Sequence, residues 1–236
     1  VKRVQLNDID PAIASFWYAI LNHADEFCRR ISDIEVTVDE WRRQKEIYAS
    51  GGGSDVVGFA FSVYFLNRTS RSGIIDGSGP IGGYAQDGIW QIDARFNKKA
   101  QIDNIIEIAR HKEFIEIECL DAVEFLTGRI SSEKHFVYLD PPYYVKGSKL
   151  YRNFYTHDDH RQIADILLSH RAGPWVLSYD YAPEIVALYS EFEPQVYDLQ
   201  YSAGAPGRGK EIMFSGDRVV IGSKKALPEM ALLPPV

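Results

Sequence analysis

Val137-Tyr138-Leu139-Asp140-Pro141-Pro142-Tyr143-Tyr144 is the stretch on which the reading of this chain turns. A short apolar strand is predicted over 135–139. The two prolines behind Asp140 cannot continue a central strand, so the chain must leave the sheet at its edge in a stiff loop. That loop carries a carboxylate, a carbonyl without a competing N–H and an aromatic ring in fixed relation. An exocyclic amine that is gripped by two acceptors while its ring is stacked needs this set of parts. A rigid turn with a capping aspartate is the plainer reading, and the following residues weigh against it. Between Pro141 and His157 the chain carries Lys146, Lys149 and Arg152 and no acidic residue, interleaved with Tyr143, Tyr144, Tyr151, Phe154 and Tyr155. Basic groups among aromatic rings suit phosphates and unpaired bases, although a solvated loop with packed tyrosines has the same composition.

Downstream of the loop, Thr156 and Asp159 form a capping box that opens a helix over 158–171, with Ile163, Ile166 and Leu167 as its apolar face. Strands are predicted at 175–179 and 218–221, and a hairpin around 204–207. Upstream lie a helix over 99–110, a strand over 114–118 and a short helix over 122–126. Nearer the start, residues 3–6 read as a strand ending in Asn7-Asp8-Ile9-Asp10-Pro11. Ile13, Phe16, Trp17, Ile20, Leu21, Ala24, Phe27 and Cys28 then repeat at helical spacing, which predicts one amphipathic helix with Asp10 as N-cap and Pro11 in its first position. Further helices are expected over 39–49 and 55–66, and the glycine-rich stretch after them reads as loops and hairpins. Strands alternating with helices imply an α/β fold whose parallel sheet binds ligands at the carboxyl ends of its strands.

The chain has 236 residues, 45% hydrophobic and 25% charged, the balance of an ordinary globular protein with one sizeable core or one core carrying a large insertion. No run approaches the ~18 apolar residues of a membrane helix, and the start lacks a signal peptide's apolar segment. The expected location is the cytoplasm. Cys28 and Cys119 lie in apolar patterns without metal-ligand spacing, so both read as buried thiols and no metal site is expected. The net charge of −7 argues against nucleic acid only weakly, because binding a polyanion draws on local basic surface.

With these residues in view, the chain resembles the Dam-type N6-adenine DNA methyltransferases. The resemblance runs from LNDIDPAI through FLNRTSRSG and ARFNKK to VYLDPPYY and YTHDDHRQIADIL, about 220 of the 236 residues, and DPPY is its most specific motif. It implies a Rossmann-like methyltransferase sheet in residues 1–30 and 98–236, with 31–97 as an inserted target-recognition region, mainly helical and hairpin. It also implies S-adenosylmethionine as methyl donor and double-stranded DNA as substrate. A flipped-out adenine would be gripped by Asp140 and the Pro141 carbonyl, with Pro142 stiffening the loop and Tyr143 stacking on the base. A monomer is the expected state. For the cofactor, the resemblance assigns Asp8 to the ribose hydroxyls, Ile9 to the adenine face and Asp121 to the adenine ring, beside Asp140 itself. Asn7 and Asp8 as mere turn formers and Asp121 as a helix cap remain open alternatives.

Asn67, Arg68 and Arg71 offer an amide and two guanidinium groups for phosphates or guanine edges, if they are not simply solvated surface residues. Arg95, Lys98 and Lys99 could extend the same basic surface to DNA, as could Lys146, Lys149 and Arg152. A nucleoside-binding fold places its glycine-rich turn about 20 residues ahead of the acidic residue, whereas Asp8 has seven residues before it. The expectation is therefore that this chain lacks the glycine loop, as a fragment, a processed product or a gene with a misplaced start would. Alternative readings are a methyltransferase acting on RNA or a protein amide, or an inactive remnant that binds DNA without modifying it.

Overall fold

Asp10 accepts a hydrogen bond from the Ala12 N–H at 2.9 Å and Pro11 takes the first helical position, so helix α1 (Pro11–Asn22) starts where its capping chemistry puts it. The computed structural model describes residues 1–145, 155–201 and 207–221. The chain divides into two compact units, residues 1–120 and the residues from 121 onward, each with its own hydrophobic core.

The first unit begins with strand β1 (Val4–Asn7), which pairs in parallel with β2 (Ile115–Glu118) from Val4 opposite Ile115 to Asn7 opposite Glu118. Helices α1, α2 (Ala24–Asp33), α3 (Val38–Ala49), α4 (Val56–Thr69) and α5 (Lys98–Arg110) lie between these strands in sequence. The single helix expected up to Cys28 is in fact two, broken at His23 where the backbone leaves helical geometry (φ −133°, ψ 33°). Apolar spacing runs through the break, so periodicity alone cannot reveal it. The change of direction brings Phe16 and Phe27 against the same ring, Tyr64, at centroid distances of 5.7 and 5.4 Å.

Helix α4 is apolar nearly all round, and Ala60, Phe61, Phe65 and Leu66 on it are buried between α1 and α3, as a central helix requires. Residues 31–97 therefore share one core with α1 and α5. The turn-rich stretch after α4 is braced from within by Gln86. Its amide donates to the Ile81 and Gly83 carbonyls at 2.7 and 2.5 Å and accepts the Ile92 N–H at 2.8 Å. Gly82 sits under this brace at φ +78°, where a Cβ would come within 2.5 Å of the Trp90 carbonyl, so only glycine fits.

The second unit holds helix α6 (Ala122–Leu126), β3 (Val137–Leu139), α7 (His157–Ser169), β4 (Trp175–Asp180), α8 (Pro183–Leu188), β5 (Gln195–Tyr201) and β6 (Gly207–Ser215). Its sheet runs β3-β4-β6-β5; only β3 and β4 are parallel, and β6 is antiparallel to both its neighbours. The capping box at Thr156 and Asp159 is present. All six residues of β4 are buried, as expected of a strand covered on both faces.

The strand expected at 218–221 is not there: β6 ends at Ser215, and Val220 stands 92% exposed. The true strand places Ile212 and Phe214 in the core, with Glu211 buried on the alternate face. Residues 202–206, most of the expected hairpin turn, lie outside the described residues, but β5 and β6 do pair as an antiparallel hairpin. Among the described residues no helix is long and apolar enough to cross a membrane.

Candidate active site

Asp140 directly follows β3, and its surroundings come from the adjoining ends of β4 and β6. The Ser178 hydroxyl on β4 donates to Asp140 Oδ1 at 3.0 Å, and the Tyr138 hydroxyl lies 3.0 Å from Ser178 Oγ. With Ser178 donating to the carboxylate, Tyr138 is the donor to Ser178, and the relay aims at one oxygen of Asp140. The side chain is open to solvent on its other side. Partial burial lifts the Asp140 carboxyl above the usual aspartate range; the Ser178 hydrogen bond draws it back and the nearby Glu211 charge adds to the rise.

The loop beyond the prolines is held by Asp180, the buried last residue of β4. Its carboxylate accepts the Tyr144 N–H at 2.8 Å and the Val145 N–H at 3.0 Å, one on each oxygen. Proline supplies no N–H, so these are the first amides after the prolines, apart from that of Tyr143, through which the loop backbone can be fastened. Directly across the β4–β6 register from Asp180 stands Glu211, also buried. It accepts the hydroxyls of Tyr143 and Tyr197, each at 2.6 Å. Burial, and then the Glu211 carboxylate, push the Tyr197 phenol well above its ordinary value, so it stays protonated as a donor.

Tyr144 and Tyr155, on either side of residues 146–154, both pack on His160, with ring centroids at 5.2 and 5.5 Å. His160 is fully buried and bonded to the Tyr179 hydroxyl at 2.8 Å, and burial lowers its pKa. The sequence singled out Asp140, Pro141, Pro142 and Tyr143, and the structure surrounds them with Ser178, Asp180, Tyr197 and Glu211, which it did not. One signal was legible in Ser178-Tyr179-Asp180, polar residues closing an otherwise apolar strand.

The candidate cofactor residues lie at the carboxyl ends of β1 and β2. Asn7 brackets the backbone of Leu120 with two hydrogen bonds at 3.0 Å, fixing the exit of both strands. Asp8 accepts the Asp10 N–H through Oδ1 at 2.8 Å. Partial burial raises the Asp8 pKa, the Asp10 N–H opposes that rise and the Asp10 charge adds to it. Ile9 is partly exposed. In the second unit, Asp121 caps α6 by accepting the Val123 N–H at 2.8 Å, so one of its oxygens has a structural task. Cys119 is exposed, not buried, because it follows β2 at the strand end; its thiol lies 3.6 Å from the Ile9 carbonyl. Cys28 is half-buried, packed against the first core.

Of the candidate DNA contacts, Arg68 spends its Nε and one terminal nitrogen on the Arg95 carbonyl at 3.1 and 2.8 Å, and Asn67 bonds the Gly73 carbonyl at 3.1 Å. Burial and the neighbouring Arg68 charge lower the pKa of Arg95, which marks two guanidinium groups set close together. Arg71 is exposed. Lys98 caps the end of α2 through the Ser32 and Ile34 carbonyls at 2.8 and 2.6 Å, and Lys99 pairs with Asp103 at 2.6 Å. Lys98 thus has a structural task that the sequence did not suggest. Lys146, Lys149 and Arg152 lie outside the described residues.

At the end of β3 the Asp-Pro-Pro-Tyr loop thus has its carboxylate oriented by a hydroxyl relay and its tyrosine hydroxyl held by a buried glutamate. The model of the D12 class N6 adenine-specific DNA methyltransferases matches residues 1–202, and the chain belongs to that family. It is accordingly an adenine-N6 DNA methyltransferase. No curated protein matches the chain.

Proposed function

We propose that the chain transfers a methyl group from S-adenosylmethionine to N6 of an adenine flipped out of double-stranded DNA, with the loop 140–143 as the reacting site. The observation that carries this is the state of Asp140: one oxygen is oriented by Ser178 while the side chain stays open to solvent. A carboxylate held this way can accept one N6 hydrogen, and the Pro141 carbonyl can accept the other. The two acceptors turn the amine lone pair out of conjugation with the ring. Tyr143 stacks on the base, which has to leave the duplex because its N6 is otherwise paired and unreachable. The raised pKa of Asp140 suits a group that takes up the proton N6 sheds on methylation.

S-adenosylmethionine, when bound, supplies an electrophilic methyl group. Asp8, with one oxygen committed to Asp10 and the other turned to no partner among the described residues, fits a ribose diol, and half-exposed Ile9 fits an adenine face. Asp121 is the further residue assigned to the cofactor's adenine. Residues 31–97, with Asn67, Arg68 and Arg71, supply target recognition in this reading, joined by Lys146, Lys149 and Arg152.

The test is Asp140→Ala. Methyl transfer, followed by tritium incorporation into unmethylated DNA, is expected to fall at least about 100-fold, the scale of losing orientation at the reacting centre. Duplex binding in a gel-shift measurement is expected to change little, since Asp140 touches the base and not the phosphates. Full activity in the variant would remove Asp140 from the mechanism.

A further inference from the structure

Tyr143 is constrained at two ends, and only one constraint comes from the loop itself. Its backbone is stiffened by Pro141 and Pro142 and by the grip of Asp180 on the next two amides. What remains is rotation of the side chain, and that is limited at the far end, where the hydroxyl meets Glu211 Oε1 at 2.6 Å. Glu211 is 7% exposed. A buried carboxylate is costly unless its oxygens are satisfied, and here the second oxygen takes the Tyr197 hydroxyl, also at 2.6 Å. Both are short, charge-assisted bonds, the stronger class of hydrogen bond. Ile212 and Phe214 form the apolar face of the same strand, and Glu211, on the alternate face opposite Asp180, carries the polar contacts.

We propose that Glu211 is a positioning residue of methyl transfer, setting the tilt of the Tyr143 ring before the target base arrives, with Tyr197 holding Glu211 in place. The proposal rests on reading Tyr143 as the residue that stacks on the base. A ring already set at its working angle does not have to be ordered during binding. Loss of the hydroxyl grip removes a restraint on the tilt of the ring, which disturbs the base at the reacting centre more than it disturbs the contacts to the DNA backbone.

Glu211→Gln keeps the volume and one acceptor oxygen, and it tests the idea in the full chain with unmethylated duplex DNA. The expected result is a kcat lowered roughly 10-fold or more, with KM for DNA within a factor of about 3. In the Tyr143→Phe background, which has no hydroxyl to hold, the same substitution should cost almost nothing further. Equal losses from Glu211→Gln in both backgrounds, or a change confined to KM, overturn the proposal. Should Glu211→Gln fail to fold, Tyr143→Phe removes the same hydrogen bond from the other end: a comparable loss of kcat supports the proposal and wild-type turnover overturns it. Tyr143→Ala separates the two levels. Undiminished methyl transfer there rejects the stacking role of Tyr143, whereas a loss there combined with equal Glu211→Gln effects in both backgrounds rejects only the positioning role of Glu211.

Discussion

At the scale of single residues the quantity on which the proposed mechanism turns is the basicity of Asp140. Burial raises its pKa, the hydrogen bond from Ser178 lowers it, and the Glu211 charge raises it again. The proposed mechanism uses the ionised carboxylate, so activity should be lost as pH falls through this raised pKa, above the range of an ordinary aspartate. Ser178→Ala removes the hydrogen bond that stabilises the carboxylate. Asp140 should then hold its proton to still higher pH, and the acidic limb of the kcat profile should move upward. A pH–rate series on both proteins reads this directly, and a limb that stays where it was would show that another group controls protonation. Nothing in the motif announces Ser178, which reaches Asp140 from 38 residues away along the chain.

At the scale of elements, the loop owes its shape to a neighbouring strand as well as to its prolines. Asp180 closes β4 and fastens the Tyr144 and Val145 amides. Truncation to alanine leaves both donors without their acceptor, and bonds to a charged group are worth about 1.5–3 kcal/mol each. Asp180→Ala should therefore cost about 3 kcal/mol in denaturant unfolding, speed hydrogen exchange at those two amides, and lower methyl transfer although Asp140 is intact. Retained protection of the Tyr144 and Val145 amides would show that the prolines alone hold the loop. Helix starts were legible from their caps, as Asp10-Pro11 and Thr156 with Asp159 show. The break at His23 was not, because apolar period and burial continue on both sides of it.

At the scale of the whole molecule, a net charge of −7 leaves no general attraction for a polyanion, so DNA binding has to depend on local basic groups. Arg68 and Arg71, four residues of sequence end to end, differ in what they are already doing. Arg71 is exposed, and Arg71→Ala should weaken duplex binding with a salt slope smaller by about one and leave stability within ~0.5 kcal/mol. Arg68 ties α4 to the Arg95 carbonyl, so Arg68→Ala should also lower thermal stability. Gel shifts over a salt series together with melting curves separate the two. Identical behaviour of the variants would mean that the Arg95 contact carries no stability.

The sequence by itself determined the proline-stiffened loop and the family. Proline cannot continue a ladder and a capping box is local chemistry, so Asp140 to Tyr143 and the start of α7 were legible from neighbouring residues alone. Only the tertiary structure decided what surrounds that loop. Ser178, Asp180 and Glu211 are polar residues on strands, and a one-dimensional pattern treats each as a defect in an apolar run. β6 opens with glycines and charged residues, Gly207 to Glu211, which dilute its apolar signal, and the β-branched run at 218–221 looked the better strand. Their meaning lies in sheet register, which sets Asp180 opposite Glu211 and brings both to the end of the sheet where Asp140 leaves it. Register pairs residues from distant segments, and which residue of one strand faces which of another is a long-range relation that the pattern within a single strand does not state.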